Sequence, residues 1–334
     1  MLTVNNKMIK IGIIGLGRLG SQHLERLLEI KYFTVVGCFD TDANLMKQIC
    51  NDFDVATFDN VDDLMDKCDA IDIVTPASFH YYYAEKAIKK GKHVFVEKPI
   101  SNDLEEAKIM AELVREAGIK FQVGHIERFN PAFLALKDQQ MNPMLIEAHR
   151  LSYFDARGTD VSVVLDLMIH DIDIVLNLVK TNIKSISASG VAVLSDHIDI
   201  ANARIEFDNG CVANLTASRA ATQKMRKMLF FEKDHHFSLD FLNRETELLK
   251  LSETAGHNSV PLRMENHVKY LNTETLVMEE YDALKEELSS FAESLIFNTE
   301  PKVTALDGLK SLEVAHEILH KINKINGIEL LKAI

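Results

Sequence analysis

Three short stretches hold residue types that could do chemistry. The first is Val96-Glu97-Lys98-Pro99, which closes the apolar run His93-Val94-Phe95-Val96. A lysine at the end of a buried strand needs a partner, a path to water or a task, because a buried, unpaired ammonium is costly. The second is Asp166-Leu167-Met168-Ile169-His170-Asp171-Ile172-Asp173. On a helix, Asp166 and His170 are four apart and share a face, and Asp173 joins its edge. Three chemistries fit: a salt-bridged polar face, a metal site, or acid–base work in which a neutral imidazole accepts a hydroxyl proton. A metal set would need more ligands than this stretch offers, with one histidine and no HExxH pattern. The third is Gly15-Leu16-Gly17-Arg18-Leu19-Gly20. Gly15 permits a tight turn, Gly17 lets a pyrophosphate approach the backbone, and Gly20 lets helix and strand pack closely, with the phosphates on the helix N-terminus.

The elements that must position these residues alternate. Residues 8–14 read as a central strand, and the glycine turn leads into a helix with Leu24, Leu27 and Leu28 at helical spacing. A second strand, residues 34–39, ends at Asp40. An acid there can accept from adenosine ribose hydroxyls and repels a 2'-phosphate, so NAD is favoured over NADP. Helices are expected at 43–51, 61–67, 80–89 and from 102 to about 117. The last opens on Asn102-Asp103-Leu104-Glu105, which has the N-cap and N3 types of a capping box. Strands are expected at 56–58, 70–74, 93–96 and 119–123. This is a doubly wound parallel sheet, the Rossmann arrangement, whose ligands sit beyond the strand C-termini. Gly15, Asp40, Thr75, Lys98 and Gly124 should therefore share one rim.

After Gly124 the pattern changes to successive strands: 145–153, 183–193, 200–207, 212–217, 227–231, 237–241 and 246–251. A hairpin turn is expected at Asn209-Gly210. One helix, residues 161–179, interrupts them, and 282–298 and 305–324 are helical. Residues 252–266 are polar and read as a mobile loop. The expected fold is α/β: a Rossmann domain over residues 1–123, then an α+β domain over 124–334 with a large, mostly antiparallel open sheet. Such a sheet suits a homodimer or homotetramer formed through its free face.

The composition narrows the partners. The chain has 334 residues, enough for two domains. A net charge of −13 repels nucleic acid and anionic membranes, so neither is expected as a partner. No apolar stretch reaches the roughly 20 residues that span a bilayer, and no signal peptide is visible. Four cysteines, Cys38, Cys50, Cys68 and Cys211, form no CxxC pair and read as buried thiols of a reducing cytosol. The expected location is cytoplasmic.

The glycine turn, Thr75-Pro76, Glu97-Lys98-Pro99 and the Asp166/His170 helix, in that order, resemble the glucose–fructose oxidoreductase / inositol dehydrogenase / rhizopine catabolism (Gfo/Idh/MocA) family across nearly the whole chain. The resemblance implies an NAD(P)-dependent dehydrogenase that moves hydride between a secondary alcohol of a sugar or cyclitol and nicotinamide. It implies that His170 is the general base, that Asp166 binds substrate, and that Lys98 stabilises the developing alkoxide. Arg18 and Leu19 of the turn, with Thr75, Pro76, His80 and Glu97, would flank the cofactor. Ala77 stands where members often carry asparagine.

Gly124-His125-Ile126-Glu127-Arg128-Phe129-Asn130-Pro131 and Arg157-Gly158-Thr159-Asp160 resemble the branch that oxidises C3 of UDP-N-acetylglucosamine. A diphosphate substrate needs cations, and Arg128, Arg157 and Arg219 are the candidates by chemistry. His125 and Tyr153 are further candidate substrate contacts. Two other functions stay open beside the nucleotide-sugar one: a dehydrogenase of a free sugar or cyclitol, and a non-catalytic NAD-binding regulatory protein.

Overall fold

Apolar runs flanked by glycine turns build the first sheet. In the computed structural model, which describes residues 8–155, 161–265, 267–276, 278 and 282–325, the elements alternate. They are β1 (Ile9–Ile14), α1 (Arg18–Glu29), β2 (Phe33–Phe39), α2 (Ala43–Asp52), α3 (Val61–Lys67), β3 (Ala70–Ile73), α4 (His80–Lys89), β4 (His93–Glu97), α5 (Leu104–Ala117) and β5 (Phe121–Gly124). The five strands form a parallel sheet in the order β2-β1-β3-β4-β5. The order reverses between β1 and β3, which is where such a sheet opens a crevice beyond its strand ends. The expected strand at 56–58 is a single parallel bridge between Cys38 and Thr57. The helix expected from 102 starts at Leu104. Asp103 caps it by accepting from the N–H groups of Glu105 and Glu106, while the Glu106 carboxylate takes the Ser101 hydroxyl at 2.5 Å.

The second part of the chain carries α6 (Pro131–Leu134), β6 (Leu145–Leu151), a π-helical turn (Val164–Met168), α7 (Ile169–Leu178), β7 (Ile183–Val191), β8 (Ile200–Phe207), β9 (Val212–Ser218), β10 (Met225–Phe231), β11 (His235–Asp240), β12 (Glu245–Ser252), β13 (Ser259–Arg263) and β14 (Val268–Leu276). These strands form one nine-stranded sheet, β13-β14-β12-β11-β10-β6-β9-β8-β7. Every pairing is antiparallel except β6 with β9. Alternation along the strands puts Ile146, Ala203, Ile205, Leu215 and Phe230 on one face, where Met168, Ile172, Val175, Ile318 and Ile322 cover them. The expected loop at 252–266 needs correction, because β13 lies within it. That edge strand buries no face, so its sequence has no apolar alternation, and Pro261 is tolerated there.

Two helices follow, α8 (Ala283–Ile296) and α9 (Ala305–Ile325). The chain divides into two compact units: residues 1–126 with 282–312, and residues 127–281 with 313–334. This differs from the division expected at 123/124, since residues 124–126 and α8 belong to the first unit. The reason is burial: Leu284, Leu288, Phe291 and Ala292 form one apolar stripe of α8 and pack into the core of Ile11, Ile13, Leu24, Leu27 and Phe95.

Candidate active site

In the first unit, a cleft of about 760 Å³ opens at the C-terminal ends of β1, β2 and β3. Its walls include Gly15, Gly17, Phe39, Asp40, Thr75, Pro76, Phe79 and Tyr83. Gly15 has φ +95°, and a Cβ on it would meet the Val74 carbonyl oxygen at 2.7 Å. A Cβ on Gly20 would lie 2.0 Å from the Gly15 oxygen, so α1 could not approach its strand. Gly17 faces open space. It is the N-cap of α1, which has no side-chain cap and no acid in its first turn. By contrast Asp42, Asn60, Asp103 and Asp282 cap α2, α3, α5 and α8. The first N–H groups of α1 are thus left for an anion from elsewhere.

Asp40 joins the turn to β2. Its carboxylate accepts from the Leu16 N–H at 2.6 Å and the Asp42 N–H at 2.8 Å. Thr75 Oγ1 is buried at the cleft and has no hydrogen-bond partner among the described residues. The bare helix start, the acid at the end of β2 and the orphaned hydroxyl together fit a dinucleotide. Gly15, Gly17 and α1 would hold its pyrophosphate, and Asp40 its ribose. Arg18 and Leu19 are exposed on the first turn of α1 and are not among the cleft's walls.

His80 was expected to flank the cofactor and instead is buried. Its Nδ1 lies 2.8 Å from the Pro99 carbonyl oxygen and its Nε2 2.9 Å from that of Thr75. Burial holds its pKa below the ordinary value, against the pull of those two carbonyls. It is a tie between the Thr75-Pro76 and Lys98-Pro99 segments. Glu97 is buried too. Its Oε1 lies 3.2 Å from His23 Nε2, and its Oε2 accepts from the Lys98 N–H at 3.1 Å. On the other side of His23, Nδ1 meets Asp72 Oδ2 at 2.9 Å. Lys98 itself is half-buried. His23 and Asp72 were missed from the sequence, although a carboxylate inside the apolar strand Ala70-Ile71-Asp72-Ile73 was a signal of the same kind as Lys98. His125 is buried at the end of β5, its N–H bonded to the Val123 oxygen at 2.8 Å.

In the second unit, Asp166 lies in the π-helical turn and His170 in the first turn of α7, both half-buried. The start of that segment is held by the Ser162 hydroxyl, which accepts from the Val164 N–H at 3.2 Å. Asp171 and Asp173 are buried on the same helix and ion-paired. Asp173, expected at the edge of the Asp166/His170 face, receives the Arg128 guanidinium at 2.6 and 2.7 Å. That corrects the expectation for Arg128, which is buried and engaged by Asp173 and Asn177 instead of offered to a substrate. Arg219 is corrected likewise, being buried with its Nη2 donating to the Val161 oxygen at 2.6 Å. Tyr153 is exposed, with Lys224 Nζ 5.8 Å from its ring centre. Arg157 lies outside the described residues. Among the described residues no group of three or more His, Cys, Asp or Glu side chains is placed to hold a metal ion, and no helix is long and apolar enough to cross a membrane.

Known proteins share this architecture. Residues 9–125 match a family model described as an oxidoreductase family with an NAD-binding Rossmann fold, and residues 135–235 match the GFO/IDH/MocA C-terminal domain. The chain is 34% identical over 288 residues to UDP-N-acetylglucosamine 3-dehydrogenase of Acidithiobacillus ferrooxidans, covering 86% of this chain and 88% of that one. A solved structure of that enzyme superposes with a TM-score of 0.86 at 31% identity, covering 95% of this chain and 98% of the other. The chain is also 27% identical over 332 residues to scyllo-inositol 2-dehydrogenase (NAD(+)) of Bacillus subtilis, covering 92% of each. With both of its domain types matched in order and the glycine turn, cleft and Glu97-Lys98-Pro99 segment in place, the chain belongs to the GFO/IDH/MocA family of oxidoreductases.

Proposed function

We propose that this oxidoreductase oxidises a secondary alcohol with NAD, and that its substrate is a UDP-N-acetylhexosamine attacked at C3. The observation that carries the substrate is the 34% identity across 86% of the chain to an enzyme named for that reaction. NAD, when bound, supplies the hydride acceptor. The chain's own residues do the rest. His170 takes the hydroxyl proton as the carbinol C–H bond breaks and the C=O bond forms, with Asp166 binding a neighbouring group of the sugar. The Lys98 ammonium stabilises the negative charge that develops on the carbinol oxygen. Asp40 at the ribose end supports NAD over NADP. Arg157 remains the candidate cation for the diphosphate. Ser187, Asn202, Arg204, Asn214 and Thr216 form a polar, open part of the large sheet, and this supports a homo-oligomer formed through that face.

A second reading, oxidation of a free cyclitol, is favoured by the likeness to the scyllo-inositol enzyme along 92% of the chain. The test is absorbance in the NADH band with purified protein, NAD or NADP, and a panel of UDP-sugars, inositols and free sugars. A signal with UDP-N-acetylglucosamine and NAD is expected. A signal with inositols alone would keep the reaction and discard the nucleotide sugar, and bound NAD with no turnover would leave a regulatory protein. Lys98→Met should lower kcat by about 10²–10⁴ while NAD still binds by calorimetry. Unchanged kcat would remove Lys98 from the chemistry.

A further inference from the structure

Four elements of the first unit send groups to one buried point beneath Lys98. α1 contributes His23, β3 contributes Asp72, β4 contributes Glu97, and β5 contributes the bare Cα of Gly124. His23 and Asp72 are fully buried, and Glu97 is nearly so. They lie among Ile11, Ile13, Leu24 and Phe95, in an otherwise apolar core, with the His23 ring edge-on to Phe95 at 5.8 Å. A buried ionic cluster is a poor way to stabilise a core, since apolar side chains of the same volume do as well or better. Its geometry shows what else it does. The Glu97 carboxylate has one oxygen in charge contact with His23 Nε2 at 3.2 Å, without hydrogen-bond geometry, and turns the other back to the Lys98 N–H. It has room to do so because residue 124 is glycine, where a Cβ would lie 2.7 Å from Glu97 Oε1 and 2.9 Å from its carboxyl carbon. His80 holds the Pro99 carbonyl from the opposite side.

We propose that His23, Asp72 and Glu97 form a buried positioning triad that fixes the Lys98-Pro99 backbone, and through it the lysine ammonium. The inference rests on the reading that Lys98 serves the reaction. Buried beneath the lysine, the triad would act on the reaction through Lys98, so its members are positioning residues. Displacing a reacting group by about 1 Å can cost about 10²-fold in rate.

The test contrasts Glu97→Ala with Glu97→Gln. The glutamine amide oxygen can still accept the Lys98 N–H, and its NH2 can donate to Nε2 of a His23 that has given up its proton while Nδ1–H stays on Asp72, so it restores the geometry without the charge. Glu97→Ala should lower kcat about 10²-fold with NAD affinity nearly unchanged, and Glu97→Gln should restore most of it. Neither change should lower kcat further in a Lys98→Met background. Without any substrate, exchange of the Lys98 amide hydrogen should quicken in Glu97→Ala and be slow again in Glu97→Gln. If Glu97→Ala does not fold, Gly124→Ala serves, since it displaces the carboxylate while leaving it in place, and kcat should fall about tenfold. Equal losses in the alanine and glutamine variants would mean that the charge acts and not the position, overturning the triad. Normal kcat in Glu97→Ala beside an inactive Lys98→Met would overturn the triad alone. A Lys98→Met enzyme as active as the wild type would overturn the reading of Lys98, and a loss persisting in Glu97→Ala would then overturn the triad as well.

Discussion

Each unit buries one cation between two carboxylates, and the two solutions differ. In the second unit Arg150 donates to Asp171 through Nε and Nη2, at 2.7–3.1 Å, and to Glu127 through Nη1 at 2.7 Å. The other Glu127 oxygen accepts from Asn130 at 3.0 Å. In the first unit the cation is His23, and it reaches each carboxylate through a single nitrogen. Asp72 Oδ1 has no hydrogen-bond partner among the described residues. Arg150 is a planar fork that cannot lose its charge, and it satisfies its partners. His23 can lose its charge, and among the described residues its own Nε2 as well as that Asp72 oxygen lacks a hydrogen-bond partner. The better-made cluster lies in the core of the larger sheet. The poorer one lies directly under Glu97-Lys98-Pro99, where imperfect burial is tolerated for the backbone it holds.

The largest effect should come from breaking the better-made cluster. Arg150→Met leaves Asp171 and Glu127 buried and unpaired, and should cost about 3–5 kcal/mol of stability in urea unfolding. A loss below about 1 kcal/mol would mean that water or Arg226 reaches the carboxylates, and the contrast between the units would collapse.

The next effect separates the clusters by pH. Burial works against the His23 imidazolium, but the Asp72 and Glu97 carboxylates outweigh it and push its pKa from 6.5 to about 10. Burial would raise Glu97, yet His23 and the Lys98 ammonium hold it below the ordinary range, while burial keeps Asp72 above its own. A cation with a raised native pKa gives its full stabilisation below its unfolded pKa and loses it as pH climbs through the native one. Stability should therefore fall between pH 7 and 10, by at most about 1.4 kcal/mol per pH unit from this group. Arg150 stays charged over that window. The slope should flatten when His23, Asp72 and Glu97 are replaced together by Gln, Asn and Gln, and persist in Arg150→Met. A slope that survives the triple replacement would assign it to other groups.

How much of this the sequence foretold depends on whether a residue's task shows in its neighbours along the chain. The glycine turn, the Asp40 end of β2 and the strand–helix alternation are local patterns, and the cleft formed where they placed it. The helix carrying Asp166 and His170 was legible by its spacing, but not that its first turn is π-helical. Arg128 looked like a free cation beside a phenylalanine and an asparagine. Its partner Asp173 is 45 residues away, and only the tertiary fold brings them together. The same holds for His23, 49 residues from Asp72. β13, at the sheet edge, and β14, paired on both sides but half-exposed, carry no apolar period that the sequence could show. α8 was read as a helix, but its apolar stripe could not say which unit it covers.

The smallest effect sharpens the comparison by testing where the second cluster's strength resides. Arg226 also approaches Glu127 Oε1, at 3.5 Å, but its side chain is 47% exposed, against 3% for Arg150. An exposed ion pair is screened by water and salt and loses side-chain freedom on forming, so it contributes about 0–1 kcal/mol. Arg226→Ala should therefore lower stability by less than about 1 kcal/mol, and added salt should erase the difference. Combined with Arg150→Met, it should cost more than it does alone, because Arg226 would then be the remaining cation beside Glu127. If the two losses simply add, Arg226 acts independently of the cluster. If Arg226→Ala alone costs as much as Arg150→Met, the buried fork is not what holds Glu127, and the distinction drawn from it between the two units fails.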